Sequence, residues 1–208
     1  MLIILDLDGT IVNSETAHFN SFVKAISRHG FKLSILQKKK INDMFGLPVK
    51  EIIREVLPDI PDEKARMISD DVKNISISEE FHNVKFTKGA KKFLADNYKK
   101  HDLAIATNSS KVFALKAIKG LKMEKFFKMV VTASDVKNAK PDSEMIDLII
   151  KRLGHTKKDS VLIGDSIFDY LSAKKAKIGF VAVLSKSNYK KELKINAESF
   201  SDLSKVKI

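Results

Sequence analysis

The stretch that decides the fold lies at residues 1–10 and reads MLIILDLDGT. Its apolar run is too short to cross a membrane or to act as a secretory signal, and it predicts a buried strand. The run ends in two carboxylates, Asp6 and Asp8. Because side chains alternate along a strand, both are expected to face one site beyond the strand's carboxyl end. Two such charges need a cation, a shared proton or a substrate nearby. A plain turn at Asp8-Gly9 is the alternative that these residues leave open.

The composition is typical of a globular protein with room for a core and an insertion. The chain has 208 residues, of which 44% are hydrophobic and 31% are charged. It contains no cysteine, which excludes disulfides and thiolate metal sites. Because the sequence has neither a signal peptide nor a long apolar run, we expect a cytoplasmic protein without a membrane partner. We favour a monomer.

The net charge of +12 is concentrated in the second part of the chain. Residues 83–208 carry 27 basic and 13 acidic residues, whereas residues 14–82 carry 11 of each. The lysines fall mainly on predicted helix faces and are not interleaved with exposed aromatic residues, as a stacking platform for nucleic acid requires. We therefore do not expect nucleic-acid binding. A non-catalytic, lysine-rich module that binds nucleic acid or protein remains the alternative of a different class.

The hydrophobic pattern divides the chain into a helical block and an alternating block. Residues 14–82 predict helices at about 14–28, 34–45 and 61–81, with a short helix through Ile52, Ile53 and Val56. Later, helices alternate with short apolar runs at 103–107, 129–132, 161–165 and 180–184. Repeated αβ units form parallel sheets that helices cover on both faces. The prediction is an α/β protein: a doubly wound, Rossmann-like parallel-sheet core (residues 1–13 and 83–208) with an inserted all-helical cap domain (residues 14–82) over the strands' carboxyl edge.

Polar residues follow several of the predicted strands. Asp6 and Asp8 follow the first, residues 107–110 follow the second and Asp165 follows the fourth, while Lys140 lies in a loop before a helix. Singly, each could be a helix cap or a surface lysine. In a parallel sheet, however, the carboxyl ends of the strands meet at one edge, where ligands bind. Together these residues supply carboxylates, a hydroxyl and a cation that could hold a divalent metal and a phosphoryl group.

Four short motifs, in order, carry a resemblance to a known family. They are DLDGTIVNS at residues 6–14, IATNS at 105–109, Lys140-Pro141, and GDS at 164–166 with Asp169. With these motifs the chain resembles the haloacid dehalogenase (HAD) superfamily, and within it the helical-cap group that contains phosphoglycolate phosphatases and β-phosphoglucomutases. The similarity extends over nearly the whole chain.

The resemblance implies a role for each polar residue. Asp6 would be the nucleophile that becomes an aspartyl phosphate, and Asp8 would be the general acid and then the base. Fixed positive charge and positioning are what phosphoryl transfer mainly requires. The implied phosphate site consists of Thr107, the backbone N–H of Asn108, and Lys140. The implied Mg²⁺ site consists of Asp6, the carbonyl of Asp8, and Asp165, with Asp169 behind these ligands or orienting Lys140.

The function that this implies is a Mg²⁺-dependent phosphatase that hydrolyses a small phosphorylated metabolite. A hexose-phosphate mutase of the β-phosphoglucomutase kind is the alternative. Three cap residues resemble substrate-binding residues of this group: His18, Lys50 and Lys73. Lys50 stands where those mutases use an arginine, and lysine lacks the planar fork that grips a second phosphate, which favours the phosphatase. Dehalogenation is disfavoured because it does not need Asp8 or the Mg²⁺ ligands.

Overall fold

The computed structural model describes residues 1–184 and 198–206, and the chain divides into two compact units. One unit comprises Met1–Asn13 and Phe86–Ile208, and the other comprises Ser14–Lys85. The boundary that we predicted after residue 82 falls just before the second junction.

The strands are short and mostly parallel to one another. They are β1 (Leu2–Leu5), β2 (Val12–Asn13), β3 (Lys85–Phe86), β4 (Asp102–Thr107), β5 (Met129–Thr132), β6 (Ser160–Gly164), β7 (Gly179–Val183) and β8 (Glu198–Phe200). Six of them form a parallel sheet in the order β5-β4-β1-β6-β7-β8. The central strand β1 lies between β4 and β6, with Leu5 in register with Ile105 on one side and Ile163 on the other. The residue after Leu5 therefore emerges in the middle of the sheet's carboxyl edge.

The α-helices fall into two sets, one in each unit. They are α1 (Glu15–Arg28), α2 (Ile35–Asp43), α3 (Val49–Val56), α4 (Asp62–Ser78), α5 (Ala90–Asn97), α6 (Lys111–Gly120), α7 (Glu144–Leu153) and α8 (Ile167–Ala176). The first four lie in the Ser14–Lys85 unit, as the all-helical prediction required. The last helix predicted there is shorter than expected: α4 ends at Ser78, and a one-turn 3₁₀ helix follows at Phe81–Asn83.

The central strand of the core sheet is buried on both faces. Leu2 and Ile4 of β1 lie in one hydrophobic cluster with Met145 of α7 and Ala173 of α8. The alternate β1 residues point to the opposite face and are equally inaccessible to solvent, and α5 and α6 each bury one side of the helix. The predicted doubly wound parallel fold is therefore confirmed.

The helical unit has a hydrophobic core of its own. Phe22 of α1, Ile53 of α3 and Ile68 of α4 are members of one buried cluster. Helix α2 begins at a capping box, in which the Ser34 hydroxyl accepts from the Gln37 N–H and the Gln37 side chain accepts from the Ser34 N–H. None of the helices among the described residues is long and apolar enough to cross a membrane.

The end of β1 corrects one detail of the prediction. The strand stops at Leu5, and the N–H groups of Ile11 and Val12 both donate to the carbonyl of Leu7, so the chain turns back at once. Gly9 takes a φ of +85° in this turn, a conformation that favours glycine. Asp8 forms an isolated β-bridge with Val12 directly before this turn, so it lies beyond the end of β1 rather than within that strand.

Candidate active site

Asp6 occupies the centre of the carboxyl edge of the sheet. Its backbone N–H donates to the carbonyl of Ile163 at 2.9 Å, which continues the pairing of β1 with β6 by one residue. The residue as a whole is only 6% exposed to solvent. The sheet therefore fixes the main chain of this carboxylate, and the surrounding protein largely excludes water from it.

Lys140 places a cation directly on Asp6. Its Nζ donates to Asp6 Oδ1 at 2.5 Å, to Asp169 Oδ1 at 2.6 Å and to the carbonyl of Ala106 at 2.9 Å, so all three ammonium hydrogens have acceptors. Burial alone would lower the pKa of Lys140, but the carboxylates of Asp169 and Asp6 outweigh it and raise that pKa. The ammonium is thus a fixed positive charge.

Three carboxylates lie close enough to share one cation. Asp6, Asp165 and Asp169 each offer an oxygen, and these oxygens all lie within 4.8 Å of one another. Burial and the carboxylate of Asp169 raise the pKa of Asp165 to about 8. Burial also raises the pKa of Asp6; Lys140 opposes this, and Asp169 and Asp165 add to it. An all-oxygen group whose carboxylates repel one another fits a hard divalent cation such as Mg²⁺.

Local sequence at the start of α8 and in the β1 turn makes this close approach possible. Ser166 and Asp169 form a capping box at the N-terminus of α8, which leaves Asp169 Oδ1 directed at Lys140. A Cβ atom on Gly164 would lie 2.5 Å from Asp169, and one on Gly9 would lie 2.1 Å from Asp165 Oδ2. A side chain at either position would therefore force the neighbouring carboxylate to move.

The tip of β4 contributes the remaining polar groups. Thr107 is buried, and its Oγ1 accepts from the Ser109 N–H at 3.1 Å. The Ser109 hydroxyl donates to Asp8 Oδ2 at 2.5 Å. The Asn108 side chain bonds the main chain of Lys140 at both its N–H and its carbonyl. The residues predicted on separate motifs are thus joined by hydrogen bonds within the core unit.

Several contributors were not assigned a role by the sequence. Ser109 holds Asp8, the Thr10 hydroxyl donates to Asp165 Oδ1 at 3.1 Å, and the Ala106 carbonyl accepts from Lys140. Ser109 and Thr10 lie inside the quoted motifs, but no local pattern says which distant carboxylate a hydroxyl will meet. The carbonyl of Ala106 left no signal in the sequence.

The three predicted cap residues lie on separate helices of the other unit. The His18 ring on α1 has its centroid 6.5 Å from that of Phe45. Lys50 is exposed at the start of α3, and Lys73 on α4 pairs with Asp70 at 2.9 Å. These contacts all lie within the helical unit, so a role for the three residues in substrate binding stays a prediction.

Comparison with known sequences identifies the family. A sequence model described as haloacid dehalogenase-like hydrolase matches residues 3–183. The chain is 25% identical over 186 residues to a putative pyrophosphatase PpaX of Caldanaerobacter subterraneus, covering 87% of this chain and 80% of that protein. It is 27% identical over 187 residues to a phosphorylated carbohydrates phosphatase of Thermotoga maritima, covering 85% and 81%.

Solved structures share the fold over almost the entire chain. A putative haloacid dehalogenase-like hydrolase from Bacteroides fragilis superimposes with a TM-score of 0.87 at 18% identity, covering 98% of this chain and 97% of that one. A putative phosphoglycolate phosphatase from Lactobacillus plantarum gives 0.83 at 17% identity, covering 97% and 95%. At such identities the likeness shows the fold alone. The sequence match over residues 3–183 shows more: the chain belongs to the haloacid dehalogenase-like hydrolases.

Proposed function

We propose that this enzyme is a Mg²⁺-dependent phosphatase that hydrolyses the phosphate monoester of a small metabolite through an aspartyl phosphate on Asp6. The observation that carries the proposal is the buried Asp6 carboxylate, held at 2.5 Å by the Lys140 ammonium beside two further carboxylates. Relatives named pyrophosphatase and phosphorylated carbohydrates phosphatase support a small phosphorylated substrate.

The metal site follows from the donor set. Asp6, Asp165 and the backbone carbonyl of Asp8 would hold the ion. Asp169 accepts from Lys140 and Ser166, and it would act behind these ligands by orienting Lys140. When bound, Mg²⁺ supplies positive charge that offsets the repulsion among the carboxylates and stabilises the phosphoryl oxygens. Oxygen donors without thiolates favour Mg²⁺ over zinc.

Two proton transfers by Asp8 complete the proposed reaction. Because Lys140 holds Asp6 Oδ1, the attack on phosphorus is assigned to Asp6 Oδ2. The new O–P bond forms as the bond to the ester oxygen breaks, and Asp8 gives its proton to the departing alcohol. Asp8 then takes a proton from water, whose oxygen attacks phosphorus, releasing phosphate and restoring the Asp6 carboxylate. The Ser109 hydroxyl orients the Asp8 carboxyl for both transfers.

Stabilisation of the transferring phosphoryl group is assigned to Thr107, the N–H of Asn108 and Lys140. Lys140 is already fixed by three acceptors, so its charge needs no reorganisation during the reaction. Such preorganised charge is worth most in a site from which water is excluded.

The first test measures phosphate release from a panel of phosphate monoesters, with Mg²⁺ or with EDTA. We expect metal-dependent release, and we expect Asp6→Asn to lower kcat by roughly 10³-fold or more because the nucleophile is lost. The surface variant Asp59→Asn is the matched control and should behave as the wild type. Phosphate release that persists in Asp6→Asn, or that is equal with Mg²⁺ and with EDTA, would contradict the proposal.

The second test addresses Asp8. Asp8→Asn keeps the size of the side chain but cannot give and take the proton, so phosphoryl transfer and breakdown of the aspartyl phosphate should both slow, by about 10²–10⁴-fold. Rapid-quench measurement of each step, with circular dichroism to check the fold, decides this. Near-normal turnover would remove Asp8 from the mechanism.

The alternative functions give different results in the same assays. A mutase would convert β-glucose 1-phosphate, with a trace of the bisphosphate, into glucose 6-phosphate rather than free phosphate. A nucleic-acid-binding module would stay on immobilised nucleic acid at moderate salt, whereas a diffuse lysine surface would be released as salt rises.

A further inference from the structure

The side chain of Asn108 makes two hydrogen bonds to the main chain of one distant residue. Its Oδ1 accepts from the Lys140 N–H at 3.0 Å, and its Nδ2 donates to the Lys140 carbonyl at 2.9 Å. Both ends of the amide are therefore used on the same residue, 32 positions further along the chain. The proposed phosphate site uses only the backbone N–H of Asn108.

The loop that carries Lys140 is anchored at its other end as well. The Glu144 carboxylate, at the start of α7, accepts from the N–H of Lys137 at 3.0 Å and from the N–H of Asn138 at 2.8 Å. These backbone hydrogen bonds lower the pKa of Glu144, so the anchor is ionised at neutral pH. Residues 137–140 are thus held at the beginning by Glu144 and at the end by Asn108.

We propose that Asn108 is a positioning residue: its side chain fixes the main chain of Lys140 and thereby the place at which the ammonium meets Asp6. This inference rests on the proposed function. A lysine side chain has four rotatable bonds, so the site of its ammonium depends on where its main chain is held. A misplacement of about 1 Å can cost about 10²-fold in rate. Asn108 directly follows Thr107, so the clamp also joins this cation to the proposed phosphate-binding tip of β4.

Two variants separate the hydrogen bonds. Asn108→Asp keeps an acceptor for the Lys140 N–H but places an oxygen against the Lys140 carbonyl, and Asn108→Ala removes both bonds. The matched control is Asn97→Ala in the same unit, which removes a half-buried amide that donates to the carbonyl of Phe93 at 2.8 Å. We expect Asn108→Ala to lower kcat by about 10–100-fold with little change in KM. Asn97→Ala should change kcat by less than about twofold.

A double-mutant cycle tests whether Asn108 acts through Lys140. The readout is the dissociation constant of orthovanadate in the presence of Mg²⁺, measured by titration calorimetry, because it needs no turnover. Asn108→Ala should weaken orthovanadate binding by about tenfold in the wild-type background. In the Lys140→Ala background, Asn108→Ala should change the dissociation constant of orthovanadate by less than about twofold, because the ammonium that Asn108 positions is absent. If Asn108→Ala does not fold, as judged by circular dichroism, Asn108→Asp takes its place in the cycle.

The possible results test the positioning role of Asn108 separately from the proposed phosphatase function. Equal effects of Asn108→Ala with and without Lys140 would overturn the positioning role and leave the proposed function intact. An effect of Asn108→Ala on KM alone would overturn it too. If Lys140→Ala neither weakens orthovanadate binding nor slows phosphate release, the proposed role of Lys140 is wrong, and the positioning role of Asn108 is wrong with it.

Discussion

Replacing Asp165 by asparagine should stabilise the metal-free protein while removing its response to Mg²⁺. Asparagine has nearly the same shape and keeps an acceptor for the Thr10 hydroxyl, which donates to Asp165 Oδ1 at 3.1 Å. The other two carboxylates of the cluster, Asp6 and Asp169, each have an oxygen within 4.8 Å of an oxygen of Asp165. The substitution therefore removes a repelled charge without opening a cavity.

The size of the effect follows from the raised pKa of Asp165. A shift from 3.8 to about 8, at about 1.36 kcal/mol per unit, sets a ceiling of roughly 6 kcal/mol. Because the side chain keeps some contact with solvent, we expect about 1–3 kcal/mol in practice. For a chain of this length that corresponds to a rise in Tm of roughly 3–10 °C.

The pH dependence has a definite sign. The pKa of Asp165 in the folded protein lies above that in the unfolded chain, so the wild type loses stability as the pH rises from about 4 towards 8. The variant has no carboxyl group at this position, so it does not lose this stability as the pH rises. The difference in Tm between the two proteins, both measured in EDTA, should therefore be small near pH 4 and largest at pH 8 and above.

Thermal denaturation with EDTA and with excess Mg²⁺ provides the assay. Binding to the folded state raises the Tm of the wild type by mass action, and the variant should lack most of that increase. The surface substitution Asp59→Asn controls for the change of residue type. A variant that is less stable than the wild type in EDTA, or that Mg²⁺ stabilises equally, would refute the reasoning.

Two further substitutions test local structure. Gly9→Ala adds a Cβ at φ +85° and 2.1 Å from Asp165 Oδ2, so it should lower stability by about 1–2 kcal/mol and weaken Mg²⁺ binding at least about tenfold. The control is Gly30→Ala, which has a similar φ of +86° but no described atom within 4 Å of the new Cβ, so it should keep the metal affinity. Titration calorimetry of Mg²⁺ binding to both variants then separates the effect of the steric clash from that of the backbone strain. Ser34→Ala removes the capping box of α2 and should cost about 0.5–2 kcal/mol in urea unfolding, whereas Ser27→Ala should cost less.

Most of the core elements could be predicted because each carries a strong local signal. Residues 129–132 form a strand in the prediction and in the structure, and the run at 161–165 is displaced by one residue from β6 (Ser160–Gly164). The strand β8 (Glu198–Phe200) was not predicted, since it is short and two of its three residues are exposed, so it lacks the apolar run that marks a buried strand. β2 and β3, of two residues each, left no periodic pattern at all.

The sequence by itself determined the order of the polar motifs and their places after the strands, because chain turns and apolar runs are properties of neighbouring residues. Only the tertiary structure decided which side chains touch. Lys140 meets Asp6 across 134 positions, Ser109 meets Asp8 across 101, and Thr10 meets Asp165 across 155. Such pairs depend on the register of β1 with β4 and β6, which the packed core fixes as a whole. For the same reason the clamp of Asn108 on Lys140, which spans two loops, could not be found from either loop alone.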